Sequence, residues 1–111
     1  VLGPEYVKAA KANASPFAAE MQDYLAENCW GLVWDREGLD RRARSLVTLT
    51  ALASGSKWSE FATHVRGAIR NGVTETELRE AIFQMAVYLG VPTAVEAFRV
   101  ASGVLEKATV G

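Results

Sequence analysis

The sequence predicts an all-α fold, a compact bundle of about six helices. Three observations lead there. Apolar residues recur at three- and four-residue spacing, Gly and Pro fall between those runs, and no run alternates as a half-buried strand would. The chain has 111 residues, enough for one domain and one core. Half of them are hydrophobic, and 12 Lys and Arg nearly balance 13 Asp and Glu, a composition that folds rather than stays disordered.

Taken in order, residues 4–13 read as a short helix. Ser15 and Pro16 suit the N-cap and first position of a second helix, which is expected to turn Phe17, Met21, Tyr24 and Leu25 inward. Residues 29–38, rich in Trp and Gly, read as a loop or broken turn. Asp40 caps a helix from residue 41 to about 54, with Leu46, Val47, Leu49 and Ala53 as its apolar positions and Gly55 as its stop. Ser56 begins the next helix, which ends at Asn71-Gly72 and buries Trp58, Phe61, Ala62, Val65, Ala68 and Ile69. Thr74 and Glu77 form a capping box, with Val73 and Leu78 as its hydrophobic staple. That helix turns Leu78, Ala81, Ile82, Met85, Ala86 and Leu89 inward and ends at Gly90. Pro92 opens a last one through about Lys107. Short linkers favour antiparallel neighbours, and broad apolar faces on so short a chain point to an oligomer.

The formal net charge of −1 argues against a nucleic-acid partner. The one basic cluster, Arg41, Arg42 and Arg44, has Asp35, Glu37 and Asp40 beside it and suits a small anionic ligand. No run approaches the roughly 18 apolar residues of a membrane span. The N-terminus lacks the apolar core of a signal peptide, and because it opens on Val1 rather than Met a preceding segment is expected. A lone Cys29 cannot form an internal disulfide, which makes a reducing cytoplasm the default location.

The stretch richest in chemistry runs from Lys57 to His64. Lys57, Glu60 and His64 share one side of a helix. A carboxylate one turn from an imidazole can fix its tautomer, raise its pKa and let the pair move protons near neutral pH. The same spacing also describes a surface pair of little energetic weight. A single His with scattered carboxylates does not make a zinc site, and the chain has no HExxH, CxxC or Gly-rich phosphate loop, so no metal is expected. Cys29 has no base near it in sequence and reads as a small buried hydrophobe more readily than as a nucleophile. Arg41 and Arg44 lie at a helix start, where positive charge opposes the helix dipole. Either they hold a carboxylate or they pair with Asp40, Asp35, Glu37 or another subunit. Trp30 and Trp34 flank Gly31 and either line a pocket or interface or close one end of the core.

Three segments resemble the carboxymuconolactone decarboxylases: CWGLVWDREGLDRRARSLVTLTAL (29–52), EFATHVRGAIRNGVTETELREAIFQMAVYLGVPTAVEAFRVA (60–101) and the opening VLGPEYV (1–7). The resemblance covers nearly the whole chain. It implies a single alkyl hydroperoxidase D-like domain over residues 1–111, assembled as a ring, a hexamer or trimer. It also implies cofactor-free decarboxylation of 4-carboxymuconolactone, a small anionic lactone, to an enol-lactone of 3-oxoadipate in bacterial catabolism of protocatechuate. The peroxidase branch of the same superfamily carries CxxC ahead of its histidine; aligned on His64, those cysteines fall on Lys57 and Glu60, which argues against dithiol chemistry.

For that reaction the resemblance implies roles. Electrons released with CO2 pass through a C=C bond to the lactone carbonyl, so the substrate is its own electron sink and no cofactor is expected. His64 is the candidate for proton delivery or oxyanion stabilisation, with Glu60 orienting it. Arg41 and Arg44 are candidates for the retained carboxylate, and Trp34 and Tyr88 for the pocket wall. Two other functions fit the same chain: an enzyme for a different lactone or quinone-like acid, and a non-catalytic oligomeric module in which His64 and Glu60 are structural.

Overall fold

A computed structural model describes residues 2–110, with side chains to residue 107. Val1, which opens one of the resembling segments, lies outside the described residues. The elements are α1 (Pro4–Asn13), α2 (Ala19–Tyr24), a π-helical turn (Leu25–Gly31), α3 (Arg41–Ser54), α4 (Trp58–Arg70), α5 (Glu75–Leu89) and α6 (Val91–Val110). There is no strand among the described residues. None of the described helices is long and apolar enough to cross a membrane.

The core lies among α3, α4, α5 and α6. Leu49, Phe61, Val65, Leu78, Ile82 and Met85 are sealed from solvent there. Along α6, Ala94, Ala97 and Ala101 are buried, small side chains that let it pack closely over α4 and α5. The starts of α3 and α5 follow their capping signals. The Ala43 N–H donates to Asp40 Oδ1 at 2.8 Å. The Glu77 N–H donates to Thr74 Oγ1 at 3.1 Å, and the Thr74 N–H returns a bond to Glu77 Oε1 at 2.9 Å. Val73 and Leu78, the staple pair, are both buried. Glu77 also forms an ion pair with Arg42, which ties α3 to α5. Ser45, 1% exposed, donates to the Arg41 carbonyl and accepts from Asn71 Nδ2 at 3.1 Å, pinning the end of α4 to α3.

Local signals misplaced several boundaries. Ser15 does cap, but only a turn: its Oγ accepts from the Ala18 N–H, and α2 starts at Ala19. The resulting phase leaves Phe17 98% exposed and Met21 and Tyr24 on the surface, with Leu25 half-buried. The expected break at Cys29 is instead helical to Gly31, because the chain widens into i→i+5 bonds such as Leu32 N–H to the Glu27 carbonyl. Ser56 does not begin α4. It adopts a left-handed φ of 56°, and α4 starts at Trp58 after Lys57. Val47 and Ile69 face outward rather than into the core. The last helix starts at Val91, with Pro92 in its first turn where a missing N–H breaks no bond, and it runs past Lys107 to Val110.

Phe61→Ala is expected to cost about 3–5 kcal/mol, a large aromatic lost from a closed core, and Thr74→Ala about 1 kcal/mol, a lost cap. Urea unfolding monitored by helical circular dichroism measures both. Equal losses would contradict this division between core and cap.

Candidate active site

His64 sits midway along α4, one residue before the buried Val65 and three after the buried Phe61, so it lies at the edge of the core stripe. The π-helical turn supplies its cover. Two ladder bonds reach the Cys29 carbonyl, from the N–H groups of Val33 and Trp34, at 3.3 and 3.0 Å. This widened turn brings Trp30 and Trp34 to the same imidazole. The Trp34 ring stacks on His64 with centroids 6.2 Å apart and planes 17° apart, and the Trp30 ring lies tilted at 6.0 Å. Trp34 is buried and does not line the open space, whereas Trp30 does. Gly31 lies between them in tight quarters: a Cβ there would meet the Ala26 carbonyl oxygen at 3.2 Å.

The imidazole opens onto a cavity of about 330 Å³, at the small end of the roughly 300–1,000 Å³ range of small-molecule sites. Glu60, Ser59 and Thr63 of α4 line one side, and residues of α1 and α2, among them Tyr6, Lys11 and Gln22, line the other. Among the described residues no hydrogen bond engages either nitrogen of His64, and neither nitrogen is sealed from solvent. Burial pushes the His64 pKa below its ordinary 6.5, and the nearby Glu60 carboxylate opposes this as the smaller effect. Glu60 does pull the His64 pKa upward, as expected, but desolvation by burial outweighs it, so the net shift is downward and the imidazole is neutral at pH 7.

The structure thus brings His64, Glu60 and Trp34 together. It does not bring the others to this cavity. Arg44 donates from Nε to the Leu39 carbonyl at 2.9 Å and from Nη2 to the Arg36 carbonyl at 3.3 Å, so it fastens the loop before α3. Arg41 pairs with Asp35 at 2.7 Å and lines a separate, more open cavity with Lys8, Lys11 and Arg70. These bonds account for positive charge at a helix start. Tyr88 is 78% exposed on α5 and is not among the lining residues. Lys57 is exposed and outside the lining as well, and Cys29 is a half-buried free thiol. No group of three or more His, Cys, Asp or Glu among the described residues is arranged to hold a metal ion. The wall from α1 and α2 escaped sequence reasoning; its one trace is the Val7, Ala10, Lys11 spacing, which puts those three on one face of α1.

An all-helical domain with a neutral, tryptophan-covered histidine in a small cavity is a small-molecule site in class. The comparisons give its family. The model of the carboxymuconolactone decarboxylase family matches residues 19–103, and the chain belongs to that family. It is 52% identical over 97 residues to a nitrosuccinic acid decarboxylase of Metarhizium robertsii, covering 87% of this chain and 68% of that protein. It is 36% identical over 106 residues to a 4-carboxymuconolactone decarboxylase of Acinetobacter baylyi, covering 96% of this chain and 79% of that one. An uncharacterized 15.0 kDa protein of Paracoccus denitrificans is 34% identical over 82 residues, 72% of this chain and 61% of its own length.

A depressed histidine pKa in the fold means that the unfolded chain takes up the proton first as pH falls. The stability due to neutral His64 is complete above the unfolded value of about 6.5. It is lost as pH falls from there through the folded value. Urea midpoints should therefore drop on acidification below pH about 6.5, and less so in His64→Gln. As His64 is the only histidine, its single imidazole NMR titration reports the folded value directly, and a midpoint above the unfolded one would overturn the assignment.

Proposed function

We propose that this protein is a decarboxylase of a small dicarboxylic acid that carries its own electron sink. The observation that carries this reading is the neutral His64 imidazole, its nitrogens open to a small cavity beside Glu60 and under the rings of Trp30 and Trp34. Two similar proteins bearing decarboxylase names support it and suggest two substrates. In nitrosuccinic acid one carboxylate sits on the carbon that bears the nitro group. When that C–C bond breaks, CO2 leaves and the electron pair passes into the nitro group as a nitronate, which is then protonated at carbon. In 4-carboxymuconolactone the pair passes through a C=C bond to the lactone carbonyl oxygen, with protonation at the α-carbon. Both reactions balance without an oxidant, and the sink lies within the substrate.

The residues suit that shared chemistry. A neutral imidazole donates a hydrogen bond to the oxygen on which charge collects, and by taking a proton from water it passes one on to carbon. Glu60 offsets the positive charge that the ring acquires on the way. The indoles exclude water from one side, which favours departure of a poorly solvated carboxylate. The nitro diacid is the first substrate to test, since the identity behind it is higher, 52% against 36%. The lactone is the second, favoured by the run of shared motifs across the chain. The half-buried free thiol of Cys29 fits a reducing cytoplasm.

Purified protein should release CO2 from nitrosuccinate or from 4-carboxymuconolactone, and His64→Ala should lower kcat/KM by about 10²–10⁴-fold, the usual weight of a general acid–base group. Turnover of neither compound would refute the reading; a His64→Ala enzyme with near-normal kcat/KM would remove His64 from the chemistry.

We also propose that the chain assembles with copies of itself, as a hexamer or trimer. Phe83, Val87 and Tyr88 of α5 and Val91 and Val95 of α6 are 57–78% exposed, large apolar side chains on two packed helices of the kind that an interface between copies covers. Light scattering on the eluting protein should give a multiple of the 12.0 kDa chain, and Val87→Asp should reduce it. A monomer at micromolar concentration would contradict the proposal.

A further inference from the structure

The cavity at His64 poses an electrostatic problem for a dianion. Among the described residues, the one acid in its lining is Glu60, and the arginines expected to bind a carboxylate lie elsewhere. The one Lys or Arg side chain among the described lining residues is Lys11, from the last turn of α1. Lys11 has a second property. It also lines the neighbouring open cavity, and Val7 is the other residue common to both. That second cavity is bordered by Lys8, Lys11, Arg41 and Arg70 and, among the described residues, by no acid. Of these four cations only Arg41 has an ion-pair partner among the described residues, Asp35; Lys8, Lys11 and Arg70 have none. The Arg70 guanidinium lies along Gly3, whose φ of +97° turns the chain there. Four cations converge on one opening although the chain as a whole is slightly acidic. That arrangement raises the local concentration of small anions and steers them inward.

We propose that Lys11 is the anion anchor of the His64 cavity, holding the carboxylate that the substrate keeps, with Lys8, Arg41 and Arg70 as the basic vestibule through which it enters. This rests on the reading of the substrate as a small diacid, and it names the group that selects for the second charge. The carboxylate to be lost then lies toward His64 and the indoles, and the retained one toward α1. Such a division makes an acid whose retained carboxylate reaches α1 a better ligand than its uncharged amide. Lys11 also lies where a cation favours the C-terminal end of α1. That effect alone would change stability and leave ligand discrimination as it is.

Calorimetric titration with succinate, a diacid that has no sink and cannot react, tests the anchor apart from catalysis. The native protein should bind succinate more tightly than its uncharged diamide, succinamide. Lys11→Met, which keeps the apolar stem, should weaken succinate about tenfold, the scale of one lost charge-assisted bond, and leave succinamide nearly unchanged. Lys11→Arg should restore most of the affinity, and in turnover assays Lys11→Met should raise KM more than it lowers kcat. Succinate that binds Lys11→Met as it binds the native protein, or fails to bind the native protein at all, overturns the proposal. Lys11-dependent succinate binding without turnover of either substrate would instead sink the decarboxylase reading and leave the anchor standing. A Lys11→Met protein whose thermal midpoint falls while its preference for succinate persists shows only the helix-end role and overturns the anchor.

Discussion

The stack of Trp34 on His64 is the contact on which the site depends. The indole comes from the turn that follows the π-helical segment, the imidazole from the middle of α4, so the contact fixes the N-terminal arm against the helical body. A pair of this kind is worth only about 0.5–1.5 kcal/mol beyond the area it covers. Its larger effect is on charge. By taking one face of the imidazole out of water, it makes the protonated ring unfavourable, and that cost outweighs the attraction of Glu60. The same carboxylate on an exposed helix would have had the opposite net effect.

Cofactor-free loss of CO2 asks little of a protein beyond placement and a local field, because the electrons have somewhere to go within the substrate. A domain this small can meet that demand. One helix carries the histidine and its carboxylate, one widened turn carries the aromatic cover, and the first helix carries a cation. The nitro and lactone groups of the two candidate substrates differ in shape but collect negative charge on an oxygen in both cases. A single hydrogen-bond donor therefore serves either, and discrimination falls to whatever holds the rest of the molecule.

How much of this was legible in the sequence depended on whether the signal was local. Asp40, the Thr74–Glu77 box and the Asn71-Gly72 stop act through bonds within one turn, and α3, α4 and α5 begin or end as those signals indicate. Ser15-Pro16 gave an equally local signal, yet the turn it nucleates is followed by a shift of phase and a π-helical segment, whose i→i+5 bonds leave no spacing signature. The site divides in the same way. His64 and Glu60 stand one turn apart on one helix, and that spacing is visible in the sequence. The opposing wall from α1 and α2 is set by tertiary packing, and nothing in the order of residues places Lys11 near His64. Arg41 and Arg44 attracted notice because their charges oppose the helix dipole, and the structure answers them with Asp35 and with the carbonyls of Arg36 and Leu39.

The left-handed Ser56 has a consequence beyond its own backbone. It closes the short connection between α3 and α4, and Lys57 then sets the start of α4. The connection therefore acts as an angular gauge. Each residue added to a helix advances its side chains by about 100° around the axis. One residue inserted at this corner would swing the imidazole a quarter-turn or more away from the indoles while leaving α4 a good helix. The candidate histidine of this fold is thus indexed by the number of residues in a turn outside the cavity lining.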